Sequence, residues 1–247
     1  MAQYKVLIDP GHGGKDPGAT GNGLQEKDIT LAISKKVAEI LKGKGIAIEL
    51  TRDSDIYLDL PERIKPCDVS ISIHVNAGGG QGLETWVAMF NKSQESKRLG
   101  ELIHKKILQQ VKFADRGIKT KKSEKGNYDY LYMIRKPLGI PVLIEVGFID
   151  NTTDAEILKH EENINKIAGA IANGILEYFG IKKEGTNMGS VFKDVPDNHW
   201  AIKDIQWAKE KGLIKGDGNG NFGLGKQITR EEFVVVLHRF YEMIGGK

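Results

Sequence analysis

Up to about residue 179 the chain alternates short apolar runs of strand type with amphipathic helices, and this constrains the fold more than any other feature. An apolar run at residues 6–8 ends in the turn-forming Pro10-Gly11-His12-Gly13-Gly14. A helix follows, with Ile29, Ala32, Ile33, Val37, Ile40 and Leu41 at the 3.6-residue period and Gly43 and Gly45 behind it as stops. Strands are expected at 46–50, 69–75 and 83–89, and a helix at 93–110 with Leu99, Leu102, Ile103, Ile107 and Leu108 inward. Beyond a loop rich in Lys, Gly and Asn come apolar runs at 131–134 and 141–146, then two helices. The last helix places Ile164, Ile167, Ala168, Ile171, Ile175 and Tyr178 on one face. Such alternation requires an α/β fold with a sheet covered by helices on both faces.

The pattern then changes. Residues 181–190 are polar, hold two glycines and carry no periodicity, so they read as a linker between a first domain at 1–180 and a second at 191–247. The second domain is expected to be small and helical. Trp200, Ile205 and Ala208 can lie along one helix, and another spans about 230–244. Its start is marked by Thr229-Arg230-Glu231-Glu232, a capping box in which the Thr hydroxyl accepts from a free helix-start amide and Glu232 reaches back.

Bulk properties exclude several classes. A net charge of +3 and no long basic run argue against nucleic acid as a partner. No apolar run approaches membrane-spanning length, so insertion into a membrane is not expected. The first strand is expected to begin almost at Met1, so no secretory leader is expected here unless a natural one has been removed. The single cysteine, Cys67, cannot form an intrachain disulfide and reads as a small buried or half-buried residue.

Four residues at strand ends or adjoining turns carry the chemistry: His12, Glu26, His74 and Glu145. Singly, each has an ordinary reading. His12 could merely bond the backbone of its turn, and a phosphate-cradling loop is disfavoured because neither Gly-Lys-Ser/Thr nor GxGxxG spacing is present. His74 could be a satisfied core histidine, and Glu26 an acid favouring the start of a helix. Glu145 interrupts Val142-Leu143-Ile144 and Val146, where an unpartnered buried carboxylate is costly. An edge strand could expose it, but a charge facing a pocket of metal and water accounts for it better. As a set, two imidazoles, one carboxylate and one spare carboxylate are what a hydrolytic zinc site needs, with the fourth position open to water. Of the other histidines, His104 and His160 read as parts of solvated helix faces. Asp217-Gly218-Asn219-Gly220-Asn221 mimics the start of a calcium loop, but Phe222 and Ile228 occupy the positions that need Gly and a bidentate acid, so it reads as a turn.

Residues 4 to about 179 resemble the zinc-dependent N-acetylmuramoyl-L-alanine amidases of the third amidase family. The resemblance rests on residues 8–19 (Ile-Asp-Pro-Gly-His-Gly-Gly-Lys-Asp-Pro-Gly-Ala), Glu26-Lys27-Asp28-Ile29, Thr51-Arg52-Asp53, Ile71-Ser72-Ile73-His74-Val75-Asn76 and Glu145-Val146-Gly147-Phe148-Ile149. It implies an αβα sandwich around a central mixed sheet, with Zn2+ held by His12, Glu26 and His74 and with Glu145 catalytic. It further implies cleavage of the amide between the lactyl group of muramic acid and L-alanine, with Asn76 as a substrate-binding residue.

Residues 191 to about 243 resemble one S-layer homology repeat, through Phe192-Lys193-Asp194-Val195, His199-Trp200-Ala201, Gly212-Leu213-Ile214-Lys215-Gly216, Asn219-Gly220-Asn221-Phe222 and residues 228–233. Leu224 stands where a proline is usual. The resemblance implies binding of an anionic secondary cell-wall polymer, with Arg230 and Trp200 as candidate contacts, and peptidoglycan as the partner of the first domain. Core for Trp200 and plain surface charge for Arg230 are the rival readings. Such repeats usually come in threes, so a lone copy is expected to self-associate, as a trimer. Lys183-Glu184-Gly185 followed by Met188 suggests an internal translation start supplying free wall-binding modules. Together these features point to a phage endolysin made in the cytoplasm and released to the wall of a Gram-positive host. A host autolysin secreted with a leader since removed, a non-catalytic wall anchor, and a zinc peptidase cutting within stem peptides are the alternatives.

Overall fold

A computed structural model describes residues 3–181, 192–196 and 199–245, without the side chain of Lys203. The chain divides into two compact units, Met1–Ile181 and Lys182–Lys247. Apart from Ile181, the expected linker lies outside the described residues, as does Met188.

The first unit contains β1 (Lys5–Pro10), β2 (Thr20–Gly21), β3 (Leu24–Gln25), α1 (Glu26–Lys42), β4 (Ala47–Leu50), a 3-10 turn at Leu60–Arg63, β5 (Val69–Asn76) and β6 (Leu83–Val87). It continues with α2 (Ser93–Gln110), β7 (Asp115–Lys119), α3 (Tyr132–Arg135), β8 (Ile140–Phe148), α4 (Thr152–Lys159) and α5 (Glu161–Tyr178). Six strands form one sheet in the order β4-β1-β5-β8-β6-β7. β1, β4, β5 and β8 pair in parallel, β6 runs antiparallel to β8, and β7 is parallel to β6, so the sheet is mixed.

Strand alternation sorts the side chains. Val6, Ile8, Ile71, Ile73, Val142, Ile144 and Val146 pack in one core with Ile33 and Val37 of α1, Ile103 and Ile107 of α2, and Ile167 and Ile171 of α5. The alternate residues face the other way, where Leu143 joins Ala88, Met133 and Ile134 in a second, smaller cluster. Ser70, Ser72 and His74 of β5 and Glu145 of β8 belong to this second face. The apolar run at 131–134 is mostly the short helix α3, and β7 was not expected at all.

His104 corrects the sequence reading. It is buried at 5% exposure, with Nδ1 2.9 Å from the Thr85 hydroxyl and Nε2 2.9 Å from Asp115, and so joins α2 to β6 and β7. His160 is exposed, as expected. Cys67 is half-buried.

The second unit holds α6 (Ile202–Glu210) and α7 (Arg230–Met243). Its core is Phe192, Val195, Ile202 and Ile205. The capping box is present: the Thr229 hydroxyl accepts from the Glu232 amide, and the Glu232 carboxylate accepts from the Thr229 amide. Asp217 accepts from the amides of Asn219 and Asn221 and from the Asn221 side chain, closing the expected turn. Trp200 is neither core nor helical: it precedes α6 and is 87% exposed, because Ile202 and Ile205 fill the inward positions. Among the described residues, no helix is long and apolar enough to cross a membrane.

Candidate metal centre

The site gathers at the carboxyl ends of β1 and β5, where the loop after β1 doubles back to the start of α1. His12 in that loop has φ +63°, and two buried guanidiniums hold its backbone. Arg52 donates to the carbonyls of Pro10, Gly11 and Lys27, and Arg63 donates to those of Pro10 and His12. Arg63 also pairs with buried Asp9 at 3.0 Å, and Asp9 further accepts from Thr51 and Ser72.

Glu26 is the first residue of α1, where the positive end of the helix favours a carboxylate. It is 3% exposed and accepts from the amides of Ala19 and Val75, one on each oxygen. Its Oε2 lies 3.2 Å from His12 Nε2 and its Oε1 3.0 Å from His74 Nδ1. The imidazoles meet edge to face at 5.1 Å. One ligand atom from each of His12, Glu26 and His74 lies within 4.8 Å of the others.

This set fits a divalent ion. Two imidazoles and one carboxylate make up the three-ligand donor set of a catalytic zinc site. Space is reserved around them as well: a Cβ at Gly18 would stand 2.6 Å from Glu26 Oε2 and from the His12 ring, and one at Gly11 would stand 2.5 Å from the His74 ring. His12 Nδ1 is 2.8 Å from Asp16 Oδ2, an outer partner that fixes the ring and turns Nε2 toward Glu26.

Burial disfavours charge at all three ligands, and their mutual contacts outweigh it. Burial works against the His74 cation, but the hydrogen bond to Glu26 and the charges of Glu145, Glu26 and Asp9 lift its pKa to about 9. Glu26 falls well below the usual carboxylate range, because its bonds to His12 and His74 overcome burial.

Glu145 lies directly beside His74 on the neighbouring strand. β8 runs between β5 and β6, so edge-strand exposure does not explain this carboxylate. It is half-buried and has no hydrogen-bond partner among the described residues. Burial raises its pKa to about 7, with the charges of Glu26 and Glu84 adding and those of His74 and His12 opposing. Asn76, at the end of β5, donates to Glu84 at 3.3 Å and accepts from the Ala77 amide.

Sequence reasoning gave no role to Asp16, Asp9, Arg63 or Glu84. Asp9, Asp16 and Arg52 stand in the sequence only as members of the matching stretches.

Two family models match the chain: N-acetylmuramoyl-L-alanine amidase over residues 6–177 and S-layer homology domain over residues 191–234. The chain belongs to the N-acetylmuramoyl-L-alanine amidase family. This amidase is 40% identical over 190 residues to the sporulation-specific N-acetylmuramoyl-L-alanine amidase of Bacillus subtilis (strain 168), covering 74% of the chain and 71% of the relative. It is 34% identical over 251 residues to the endolysin of Bacillus phage SPP1, covering 91% and 89%. Among solved structures, the catalytic domain of the amidase CwlV from Bacillus (Paenibacillus) polymyxa var. colistinus superposes with a TM-score of 0.65 at 34% identity. That match covers 73% of this amidase and 100% of the CwlV domain. Of the expected polymer contacts in the S-layer homology domain, Arg230 is the exposed first residue of α7. Trp200 is exposed, with its ring 5.6 Å from that of His199.

Proposed function

We propose that this amidase is zinc-dependent and cleaves the amide between the lactyl group of muramic acid and L-alanine, with His12, Glu26 and His74 as the zinc ligands and Glu145 as the proton carrier. Zinc, when bound, supplies Lewis acidity that polarises the amide carbonyl and makes a water nucleophilic. Glu145 takes a proton from that water onto a carboxylate oxygen and delivers it to the alanine nitrogen as the C–N bond breaks. Asp16 keeps the His12 ring oriented, and Arg52 and Arg63 keep the loop that carries it folded back. Asn76 borders the substrate through its place on β5.

The carrying observation is the convergence of three ligand atoms within 4.8 Å of one another beside a half-buried carboxylate that has no hydrogen-bond partner among the described residues. Glu145→Gln is expected to retain zinc, measured by elemental analysis, and to lose turnover by about 10²- to 10⁴-fold. Loss of zinc from this variant, or turnover at the wild-type rate, would overturn the assignment. Mass spectrometry of digested peptidoglycan tests the bond: an amidase frees intact stem peptides, whereas a peptidase leaves alanine on the glycan.

The S-layer homology domain is proposed to hold the enzyme on an anionic secondary wall polymer through Arg230 and Trp200, and to self-associate through α7. The likeness to a phage endolysin over 91% of the chain supports a lytic role. The 40% identity to a sporulation-specific amidase favours a host autolysin as the second reading, and the genes flanking the coding sequence separate the two.

A further inference from the structure

A line of four charged side chains crosses the sheet from the metal centre outward. His74 of β5 is in register with Glu145 of β8, and Glu145 is in register with Glu84 of β6. Arg116 of β7 completes the line, its Nε 2.6 Å from Glu84 Oε1. Residues directly opposite one another on adjacent strands project to the same face, so the first three share the face opposite Ile144 and Val146.

Glu84 is 5% exposed, and both of its oxygens are engaged, one by Arg116 and the other by Asn76. It is therefore committed within the protein and serves to position Arg116. The guanidinium also lies over the Phe148 ring at 4.9 Å, so an edge and a face are both held. The contact with Glu84 uses only the Nε donor. The two Nη nitrogens make no hydrogen bond among the described residues, and the side chain is 39% exposed. A guanidinium fixed in this way offers the planar fork that grips a carboxylate through two parallel bonds.

Spacing indicates which carboxylate. Neighbouring strands lie about 4.8 Å apart, which puts Arg116 roughly 10 Å from Glu145 along the line. An extended peptide advances about 3.4 Å per residue, so an acid group on the second residue beyond the scissile amide comes within a side chain's reach of that position. We propose that Arg116 anchors the free carboxylate of the second residue on the peptide side of the substrate, so that the enzyme selects acidic stems over amidated ones. This inference rests on the amidase reading above.

The test uses the zinc-loaded full chain and two synthetic muramoyl tripeptides that differ only in carrying an α-carboxylate or a carboxamide on the second residue. The acid is expected to be favoured about 10- to 100-fold in kcat/KM, mainly through KM. Arg116→Ala should collapse this ratio to near one, and Arg116→Lys, a point charge without the fork, should give an intermediate ratio. Zinc content and circular dichroism of both variants should match the wild type. Equal use of the two substrates by the wild type, or an equal slowing of both by Arg116→Ala, would overturn the proposal. Calorimetric titration with the two free tripeptides reads the anchor without turnover. If the muramoyl substrates were left uncut while the acid tripeptide still bound more tightly in an Arg116-dependent way, the amidase reading alone would fail. Equal binding of the two tripeptides would remove the anchor.

Discussion

A histidine in a glycine-rich turn can present either ring nitrogen, and Asp16 removes that choice for His12. Its carboxylate, 2.8 Å from Nδ1, fixes the tautomer and leaves Nε2 to face Glu26 and His74. Outer partners of this kind typically contribute 10- to 100-fold in metal affinity. Asp16→Ala is therefore expected to weaken zinc binding by about that factor, read by competition with a chromophoric chelator. An unchanged affinity would reduce Asp16 to a turn residue. The four residues of the centre were visible in the sequence because each breaks an apolar pattern or sits where a strand ends. Asp16 was not, because an acid in a turn is ordinary until the loop folds back on itself. His104 was misread for another reason: its neighbours Lys105 and Lys106 suggested a wet surface. The helical period carried the correct signal, since position 104 follows Gly100 by four and precedes Ile107 by three, on the buried side of α2.

At the scale of elements, the long helices and central strands were legible because burial imposes a period of 3.6 or 2 on their side chains. β7 was not. Asp115-Arg116-Gly117-Ile118-Lys119 is an edge strand, and edges carry charge instead of an apolar alternation. What holds it is long-range: His104 bonds Asp115, and Glu84 pairs with Arg116. In the second unit the turn at Asp217 was legible from its Asp, Gly and Asn content, and its hydrogen bonds give it a pH dependence. The Asn221 side chain, then the amides of Asn221 and Asn219, bring the Asp217 pKa from 3.8 down to about 2. A depressed carboxylate stabilises the fold above its unfolded pKa, and that contribution is lost as pH falls through the folded value. The second unit is accordingly expected to lose stability between pH 3.8 and about 2. The Asn219 and Asn221 amide resonances should titrate with a midpoint near the lower value. Asp217→Asn should abolish that titration, and its persistence in the variant would assign the effect to another acid.

Over the whole molecule, the two units differ in how completely they bury their helices. α1, α2 and α5 each sink an apolar face against the sheet, whereas none of the residues of α7 is buried. Arg239 ties α7 to the Leu213 carbonyl, but the small core of the second unit takes nothing from it. Phe233, Leu237, Phe240 and Ile244 lie at helical spacing and are 41–63% exposed. An apolar stripe of this length on a water-facing helix marks an interaction surface, and every further copy of the chain brings the same stripe. Burying it between copies removes apolar area from water and would give a closed ring, with trimer the expected size. Sedimentation velocity at micromolar concentration should then show a species of about three chain masses in exchange with monomer. Leu237→Glu places a charge in the middle of the stripe and should shift the chain to monomer. Cleavage of a soluble muropeptide should be unchanged, because His12, Glu26, His74 and Glu145 all belong to the first unit. Retention on isolated cell walls should fall by well over tenfold, because linked modules gain avidity only while assembled. A wild-type chain that sediments as a monomer at every concentration would show that the stripe serves some contact other than self-association.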